Sequence, residues 1–323
     1  MAQSPVFPDT RINASEHDPR VHVELADLIA LKYKARNFSF LPHQPVHSVL
    51  SGRHGSRLRG RGLNFEEIRV YRPGDDVRMI DWKVTARMRE AHTRVFTEER
   101  DRPVLFIIDQ RISMFFGTRL YMKSVSAAHA AALGAWRVLD VGDRVGAIIF
   151  NDDRIEMVRP HRSRSTVTRI LEHVVSMNAQ LKADAAIAEN PEMLNRALDA
   201  ANKLVGHDYL VTVISDFAGN NDVSRQLLRR FAEHNDVLCI LIHDPSATDL
   251  PPGRNMRVTD GQLQMELEMG SKKIRKEVND FTRGRIEDVF RYRTELDISV
   301  LPISTDEDVA IQVQRLLGSQ PAR

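Results

Sequence analysis

The stretch VLFIIDQRIS, residues 104–113, is a continuous apolar run that ends in an acid and passes into a polar loop. An apolar run without alternation is typical of a strand that is buried on both faces of a sheet. Two later stretches repeat this pattern, YLVTVISDF over residues 209–217 and DVLCILIHD over residues 236–244. The three stretches therefore predict buried core strands of one sheet.

Helical patterns separate these strands along the chain. The stretch TRLYMKSVSAAHAAALGAWRVLD (118–140) predicts a long alanine-rich helix, and LDISVLPIST (296–305) predicts a last core strand. Further helices are predicted at 164–178, 191–205, 222–234, 272–292 and 306–318. Core strands that alternate with helices favour an α/β fold, with a doubly wound, mainly parallel sheet covered on both faces. The stretch GDRVGAIIFNDDRIEMVRPHR adds a predicted hairpin across an Asn-Asp-Asp turn.

The composition changes near residue 102, which predicts a domain boundary there. The predicted parts are a disordered N-terminus (1–21), an N-terminal helix with an arginine-rich β subdomain (22–102), an α/β domain (103–318) with a hairpin insertion near 252–270, and a tail (319–323). The insertion is predicted to turn at Asp260-Gly261, because Asp-Gly is a common hairpin turn.

Composition limits the function classes. The net charge of +2 over 323 residues is nearly balanced, so only a local basic patch could favour polyanions. The single cysteine, Cys239, excludes an internal disulfide and paired-cysteine zinc sites, and its apolar surroundings predict a buried, inert thiol. No stretch reaches about 18 uninterrupted apolar residues, so we expect no membrane span and a cytoplasmic protein.

Acidic residues end two of the predicted strands. Asp109 follows the first strand and Asp216 the second, and ligands of open α/β sheets bind outside such carboxyl ends. Arg111 and Ser113 share the loop after Asp109. Two carboxylates and a hydroxyl that converge there would suit Mg²⁺, which prefers oxygen ligands. The alternative is that these acids cap the turns or helices that follow them.

The D-x-x-x-S loop, the long helix, the GDRVG turn and the ISDF strand together resemble a von Willebrand factor A-type domain. The resemblance implies a metal-ion-dependent adhesion site in which Asp109, Ser113 and Asp216 would take part. Arg111 stands where that family has its first serine, and the corresponding second loop, LKADAAIAEN (181–190), has no threonine. We therefore predict a degenerate site in which Arg111 neutralises Asp109 or Asp216. No cofactor is then expected, and bound Mg²⁺ remains the alternative.

The stretch from Ser51 to Glu90 is rich in arginine. It begins with Arg53, Arg57, Arg59 and Arg61 among glycines, an arrangement that can hold phosphate. From residue 53 to 102, however, thirteen basic residues face nine acidic ones, an excess of four that is weak for a duplex-binding surface. We predict instead an internal polar network formed by Arg69, Asp75, Asp76, Arg78, Asp81, Trp82 and Arg87.

A metal-dependent phosphodiesterase site is an alternative for the same stretch. Asp75, Asp76, Asp81 and Lys83 would supply carboxylates and a cation for such chemistry. Pro73-Gly74 just before them favours a turn, whose backbone N–H groups the aspartates could satisfy.

The motif from SGRHGSRLRGRGLNF to YRPGDDVRMIDWKVTAR, residues 51–87, resembles the signature of the bacterial domain of unknown function 58 family. Its features are Y-x-P-G-D-D-x-R-x-I-D-W and the trailing A-R. The resemblance implies a partnership with a MoxR-type AAA+ ATPase, and this chain has no nucleotide-binding motif of its own. We therefore predict a non-enzymatic protein–protein interaction module, an adaptor or co-chaperone. The alternative is a nucleic-acid-binding or phosphodiesterase role for the arginine-rich stretch.

Overall fold

A computed structural model describes residues 18–36, 63–98, 102–182, 188–245, 256–259, 264–267 and 272–318. The chain divides into two compact units, one of residues 43–101 and one of residues 1–42 with 102–323. Several sequence predictions fall outside the described residues: the N-terminus to residue 17, the cluster Arg53, Arg57, Arg59 and Arg61, the turn Asp260-Gly261, and the tail from residue 319.

The helices and strands are numbered in chain order. They are α1 (Leu25–Ala30), β1 (Leu63–Val70), α2 (Trp82–Met88), β2 (His92–Glu98), β3 (Pro103–Asp109), α3 (Lys123–Asp140), β4 (Arg144–Phe150), β5 (Ile155–His161), α4 (Arg164–Asn178), α5 (Glu192–Leu204), β6 (Leu210–Ser215), α6 (Asp222–Ala232), β7 (Asp236–His243), β8 (Met256–Thr259), β9 (Gln264–Leu267), α7 (Lys272–Glu295), β10 (Ser299–Ser304) and α8 (Val309–Leu317).

The larger unit contains a six-stranded sheet in the order β10-β7-β6-β3-β4-β5. All neighbouring strands run parallel except β4 and β5, which are antiparallel and form the predicted hairpin. Helices connect the parallel strands, so the predicted α/β fold with a mainly parallel sheet is confirmed. The strands β8 and β9 form a separate two-stranded antiparallel ladder within the predicted insertion.

Alternate residues of the central strands enter two separate cores. In β3, Phe106 and Ile108 contribute to the core shared with α3, α4 and α8, whereas Leu105 and Ile107 contribute to the core shared with α5, α6 and α7. All four side chains are essentially inaccessible to solvent. The continuous apolar run thus reflects a strand whose two faces are both covered.

The N-terminal helix belongs with the larger unit. Leu28 of α1 is fully buried in the core of α3 and α4, and Trp136 Nε1 of α3 donates a 3.0 Å hydrogen bond to the Leu28 carbonyl. The sequence prediction had grouped this helix with the arginine-rich stretch. The apolar face of the helix accounts for the difference, since it needs a core that the larger unit provides.

The long alanine-rich helix begins at Lys123, five residues later than predicted. Residues 118–122 are non-helical, and both the backbone N–H and the hydroxyl of Thr118 donate to the carboxylate of Asp244, at 2.9 and 2.7 Å. This tertiary contact competes with helix extension. Its consequence is that Lys123 lies at the first turn of α3.

The smaller unit contains the antiparallel pair of β1 and β2, with α2 between them in sequence. Between residues 67 and 94, where its side chains are described, no apolar side chain is buried. An isolated two-stranded ladder is marginally stable in water. Within the described part of the chain, no helix is long and apolar enough to cross a membrane.

Candidate functional site

The sheet register brings the two predicted strand-end acids to one place. Strands β3 and β6 pair in parallel with Ile108 opposite Ile214, so Asp109 lies beside Ser215 and Asp216 follows. The hydroxyl of Ser215 donates a 2.6 Å hydrogen bond to Asp109 Oδ2. In the sheet, β3 lies between β4, which is the next strand in sequence, and β6, which comes later in the chain. This is a switch point of the strand order, where α/β sheets form their crevice.

Arg111 pairs with Asp109 inside this crevice, and both side chains are fully buried. The guanidinium donates through Nε to Oδ1 at 3.0 Å and through Nη2 to Oδ2 at 2.6 Å, a two-pronged contact. It also lies 5.4 Å from the centre of the Phe150 ring, and Nη1 is 3.4 Å from the Pro191 carbonyl oxygen. Burial alone would lower the pKa of Arg111, but the adjacent Asp109 raises it above its ordinary value.

A second buried ion pair lies beside the first. Lys123 Nζ is 2.5 Å from Asp216 Oδ2, and Arg285 Nη1 of α7 is 3.9 Å from the same oxygen. The other oxygen, Oδ1, accepts from the backbone N–H of Ala218 at 2.9 Å. Burial would raise the pKa of Asp216, but Lys123, Arg285 and Arg111 together lower it to about 2. The carboxylate is therefore ionised at neutral pH.

A third carboxylate, Asp152, fixes the loops around the pairs. It lies in the hairpin turn after β4 and accepts from the Ile112 N–H at 2.6 Å and from the Asn190 N–H at 2.9 Å. These bonds connect the loop after β3 with the segment before α5. Asp152 also contributes to the raised pKa of Arg111, although burial of the guanidinium opposes that effect.

Ser113 is near these groups in sequence but is not bonded to them. Its Oγ is buried and makes no hydrogen bond to any residue that the structure describes. The arrangement thus joins Asp109, Arg111 and Asp216 in one charged group with Lys123, and leaves the Ser113 hydroxyl outside it.

This donor set does not fit Mg²⁺, which the family resemblance implies. The oxygens of Asp109 and Asp216 are occupied by Arg111, Ser215, Lys123 and a backbone N–H. Mg²⁺ requires a compact shell of free oxygen ligands, whereas guanidinium and ammonium groups have no acceptor and repel a cation. Among the described residues, no group of three acids, histidines or cysteines is placed to hold a metal. Residues 183–187 of the second loop lie outside the described ranges.

Sequence reasoning missed the partner of Asp216. The predicted helices at 118–140 and 272–292 contain Lys123 and Arg285, and neither residue is among the predicted site residues. Asp152 was seen only as a turn residue. The signal for Lys123 was present, because a lysine is rare in the buried face of an alanine-rich helix unless it is paired.

The signature stretch forms several separate ion pairs. Arg69 and Asp75 make a two-pronged contact with both nitrogen–oxygen distances at 2.9 Å. Asp76 pairs with Arg78 at 2.9 Å. The side-chain hydrogen bond from Arg69 contributes most to lowering the pKa of Asp75, and the bond from Arg78 does the same for Asp76.

Asp81 has a local structural role. Its Oδ1 accepts from the backbone N–H groups of Lys83 and Val84 and so caps α2, while Oδ2 accepts from Arg94 Nε at 2.8 Å. The cap at Val84 and the bond from Arg94 lower the pKa of Asp81.

The carboxylates that a phosphodiesterase site would need are thus engaged with different arginines, Asp75 with Arg69, Asp76 with Arg78 and Asp81 with Arg94. Trp82 and Arg87 are not part of this pairing. The Trp82 side chain is 70% exposed, and Arg87 is exposed with no ion-pair partner among the described residues. The predicted network is therefore a set of separate pairs, and these two residues lie outside it.

Related sequences cover almost the whole chain. Uncharacterized proteins from Mycobacterium tuberculosis (strain H37Rv) and Mycobacterium bovis are each 27% identical over 325 aligned positions, which cover 99% of this chain and 96% of theirs.

Similar solved structures have low scores. A conserved hypothetical protein, BatB from Bacteroides thetaiotaomicron, aligns with a TM-score of 0.36 and 15% identity, over 67% of this chain and 97% of that one. The SpRpn10 VWA domain aligns with a TM-score of 0.32 and 10% identity, over 67% and 95%. At such scores the architecture of this chain rests on its own strand order.

The family model described as "Protein of unknown function DUF58" matches residues 67–287, which is more than half of the chain. The match begins in the signature stretch and extends through the strand-end crevice. The chain belongs to the DUF58 family.

Proposed function

We propose that this chain is a protein–protein interaction module whose larger unit presents the rim of the strand-end crevice to a partner. One observation carries the proposal: the two buried acids of the crevice are neutralised by Arg111 and Lys123 from within the chain. In this proposal the buried pairs fix the conformation of the surrounding loops. A rigid set of loops at the end of a parallel sheet is a suitable binding platform.

The partner that we propose is an AAA+ ATPase of the MoxR type, for which the chain would act as a cytoplasmic adaptor or co-chaperone. Support comes from membership of the DUF58 family and from the family resemblance of the signature. In this proposal any nucleotide hydrolysis is performed by the partner, and the chain contributes recognition.

The test is co-purification of the full chain with a MoxR-type ATPase from the same genome, in ATP and in ADP. Arg119 lies in the loop after β3, on the crevice rim, and is exposed, with Nη1 3.5 Å from Asp306. We expect Arg119→Glu to weaken capture by about 10-fold. Arg144 is the first residue of β4, at the amino ends of the parallel strands, and is also exposed, so Arg144→Glu is the matched control. No capture in either nucleotide, or equal loss in both variants, would contradict the proposal.

A further inference from the structure

Exposed apolar side chains are concentrated in the smaller unit. Among the residues whose side chains the structure describes, thirteen large apolar side chains are exposed, and six of them lie between residues 68 and 88. These six are Ile68, Val70, Val77, Met79, Trp82 and Met88. These six residues belong to a unit with no buried apolar side chain between residues 67 and 94, and exposed apolar side chains of this kind are available to a binding partner.

The orientation of α2 determines which residues point outward. Its inner face packs on β2, because Asp81 bonds Arg94 and the Thr85 hydroxyl accepts from the His92 N–H at 3.0 Å. The helical repeat places Lys83 and Arg87 on the opposite side, one turn apart. Trp82 is the first residue of the helix, next to Lys83, and its side chain is 70% exposed.

The charges beside Trp82 are unbalanced. Asp75, Asp76 and Asp81 each form an ion pair with an arginine. Neither Lys83 nor Arg87 has an ion-pair partner among the residues that the structure describes, and both are exposed. The exposed part of α2 therefore carries one large aromatic ring and two cations that have no ion-pair partner among the described residues. Such a surface complements a segment that carries carboxylates around an apolar side chain.

We propose that the exposed part of α2, with the turn that precedes it, is a docking surface for a segment of a protein partner. That segment would carry carboxylates around an apolar side chain. We call it the Trp82 surface and define it as Val77, Met79, Trp82, Lys83 and Arg87. Tryptophan, methionine and arginine are the residue types that are enriched where proteins contact one another. A nucleic acid would use the ring and the cations but would gain little from Val77 and Met79, so the apolar side chains favour a protein segment.

The inference rests on the proposed function, because it supplies a second contact for a protein partner. The inference and the proposed function can be tested separately, since the Trp82 surface and the crevice rim belong to different units of the chain. Loss of binding at one surface can be measured while the other is unchanged.

The first measurement asks whether Trp82 is accessible and in a positive environment. The chain has two tryptophans, and Trp136 is 5% exposed, so collisional quenching of the full chain reports mainly on Trp82. We expect iodide to quench more strongly than caesium, because the anion concentrates near Lys83 and Arg87. The stronger quenching by iodide should disappear in the double variant Lys83→Glu/Arg87→Glu. A Trp82 that neither ion quenches is already covered in the free chain, and that result would overturn the proposal.

The second measurement uses a defined probe, a fluorescein-labelled 16-residue peptide of Glu and Asp with one Leu and one Phe. A labelled oligo-dT of equal charge is run in parallel. We expect the peptide to bind the full chain and to lose about 10-fold or more in affinity with Trp82→Ala and with Lys83→Glu/Arg87→Glu.

Two matched controls exclude general effects of charge and of lost aromatic surface. Arg229 and Arg230 form an exposed cationic pair on α6, and Tyr33 is 77% exposed. Arg229→Glu/Arg230→Glu and Tyr33→Ala should change the affinity by less than about 2-fold. Equal losses in these controls, no peptide binding, or tighter and Trp82-dependent binding of oligo-dT would each overturn the proposal. If the ATPase is still captured by the Trp82→Ala variant with unchanged affinity, the docking surface is wrong and the proposed function stands.

Discussion

Lys123 Nζ lies 2.5 Å from Asp216 Oδ2, and the two side chains are 9% and 3% exposed. Together with the Arg111–Asp109 pair, this contact places two cations and two carboxylates inside one crevice at the carboxyl end of the sheet. Removing one member of a buried pair leaves a charge without compensation, which costs far more than the loss of a surface pair. The crevice is therefore a sensitive place for substitution.

We expect Lys123→Met to lower the free energy of unfolding by about 3–5 kcal/mol, because it leaves Asp216 ionised and buried. Urea unfolding followed by circular dichroism measures this change. The double variant Lys123→Met/Asp216→Asn should recover more than about 1 kcal/mol of the loss, since the buried side chain at position 216 is no longer charged.

The matched control is Lys203→Met. Its pair with Asp199 has the same residue types at 2.7 Å, but the side chains are 75% and 49% exposed. We expect a change below about 1 kcal/mol. A loss from Lys123→Met as small as that of the control would show that the buried pair is not important for stability.

If the crevice is a degenerate metal site, as we predict from the sequence, removing its cations should increase its affinity for metal ions. Lys123 and Arg285 both lie beside Asp216, so Arg111→Ser alone leaves two cations near that carboxylate. We expect Arg111→Ser/Lys123→Ser to bind Mn²⁺ with a Kd on the order of 1 mM, and the single Arg111→Ser variant to bind more weakly. Isothermal calorimetry measures both. No gain of Mn²⁺ binding in either variant would count against a relation to a metal site.

Asp216 should make the fold sensitive to acid. Its folded-state pKa of about 2 lies below the unfolded value of about 4, so its stabilising contribution is complete above about pH 4. It is lost as the pH falls towards 2. The difference in unfolding free energy between the wild type and Asp216→Asn should therefore be largest at pH 6 and should shrink below pH 4. A difference that stays constant from pH 6 to pH 2.5 would contradict this assignment.

His129 should make the stability of the fold depend on pH in a different range from Asp216. Burial lowers its pKa to about 4, and its ring packs edge-on against Tyr121, with centres 5.2 Å apart. Between about pH 6.5 and 4 the unfolded chain binds a proton that the folded chain does not, so stability falls as the pH falls through this range. We expect His129→Gln to flatten the stability curve there. The control His207→Gln, at an exposed position, should leave the curve as in the wild type.

Cys239 provides a direct probe of global unfolding. The thiol is fully buried in β7, and burial raises its pKa above the ordinary value, so the reactive thiolate is disfavoured. We expect the aromatic disulfide reagent DTNB to react with it at the rate at which the larger unit opens, and the rate to rise with urea as the unfolded fraction rises. Rapid labelling in the absence of denaturant would contradict the buried position.

The residue types alone predicted most of the larger unit. The apolar runs within 104–109, 209–217 and 236–244 favour strands with two covered faces, and the helices predicted between them favour parallel crossovers. The acids Asp109 and Asp216 follow such strands, so their shared edge was predictable as well. The signature YRPGDDVRMIDW indicated the family, which the match over residues 67–287 shows.

Tertiary structure decided how the charges pair. Arg111 is close to Asp109 in sequence, and its pairing needed only the local loop, whereas Lys123 and Asp216 are 93 positions apart and meet because α3 starts beside the end of β6. The exposure of Trp82 could not be predicted from the sequence either, since an aromatic residue after a capping aspartate has the same sequence pattern whether it is buried or exposed. Sequence determines which groups need partners or burial, and only the packing of distant segments determines which of them receive it.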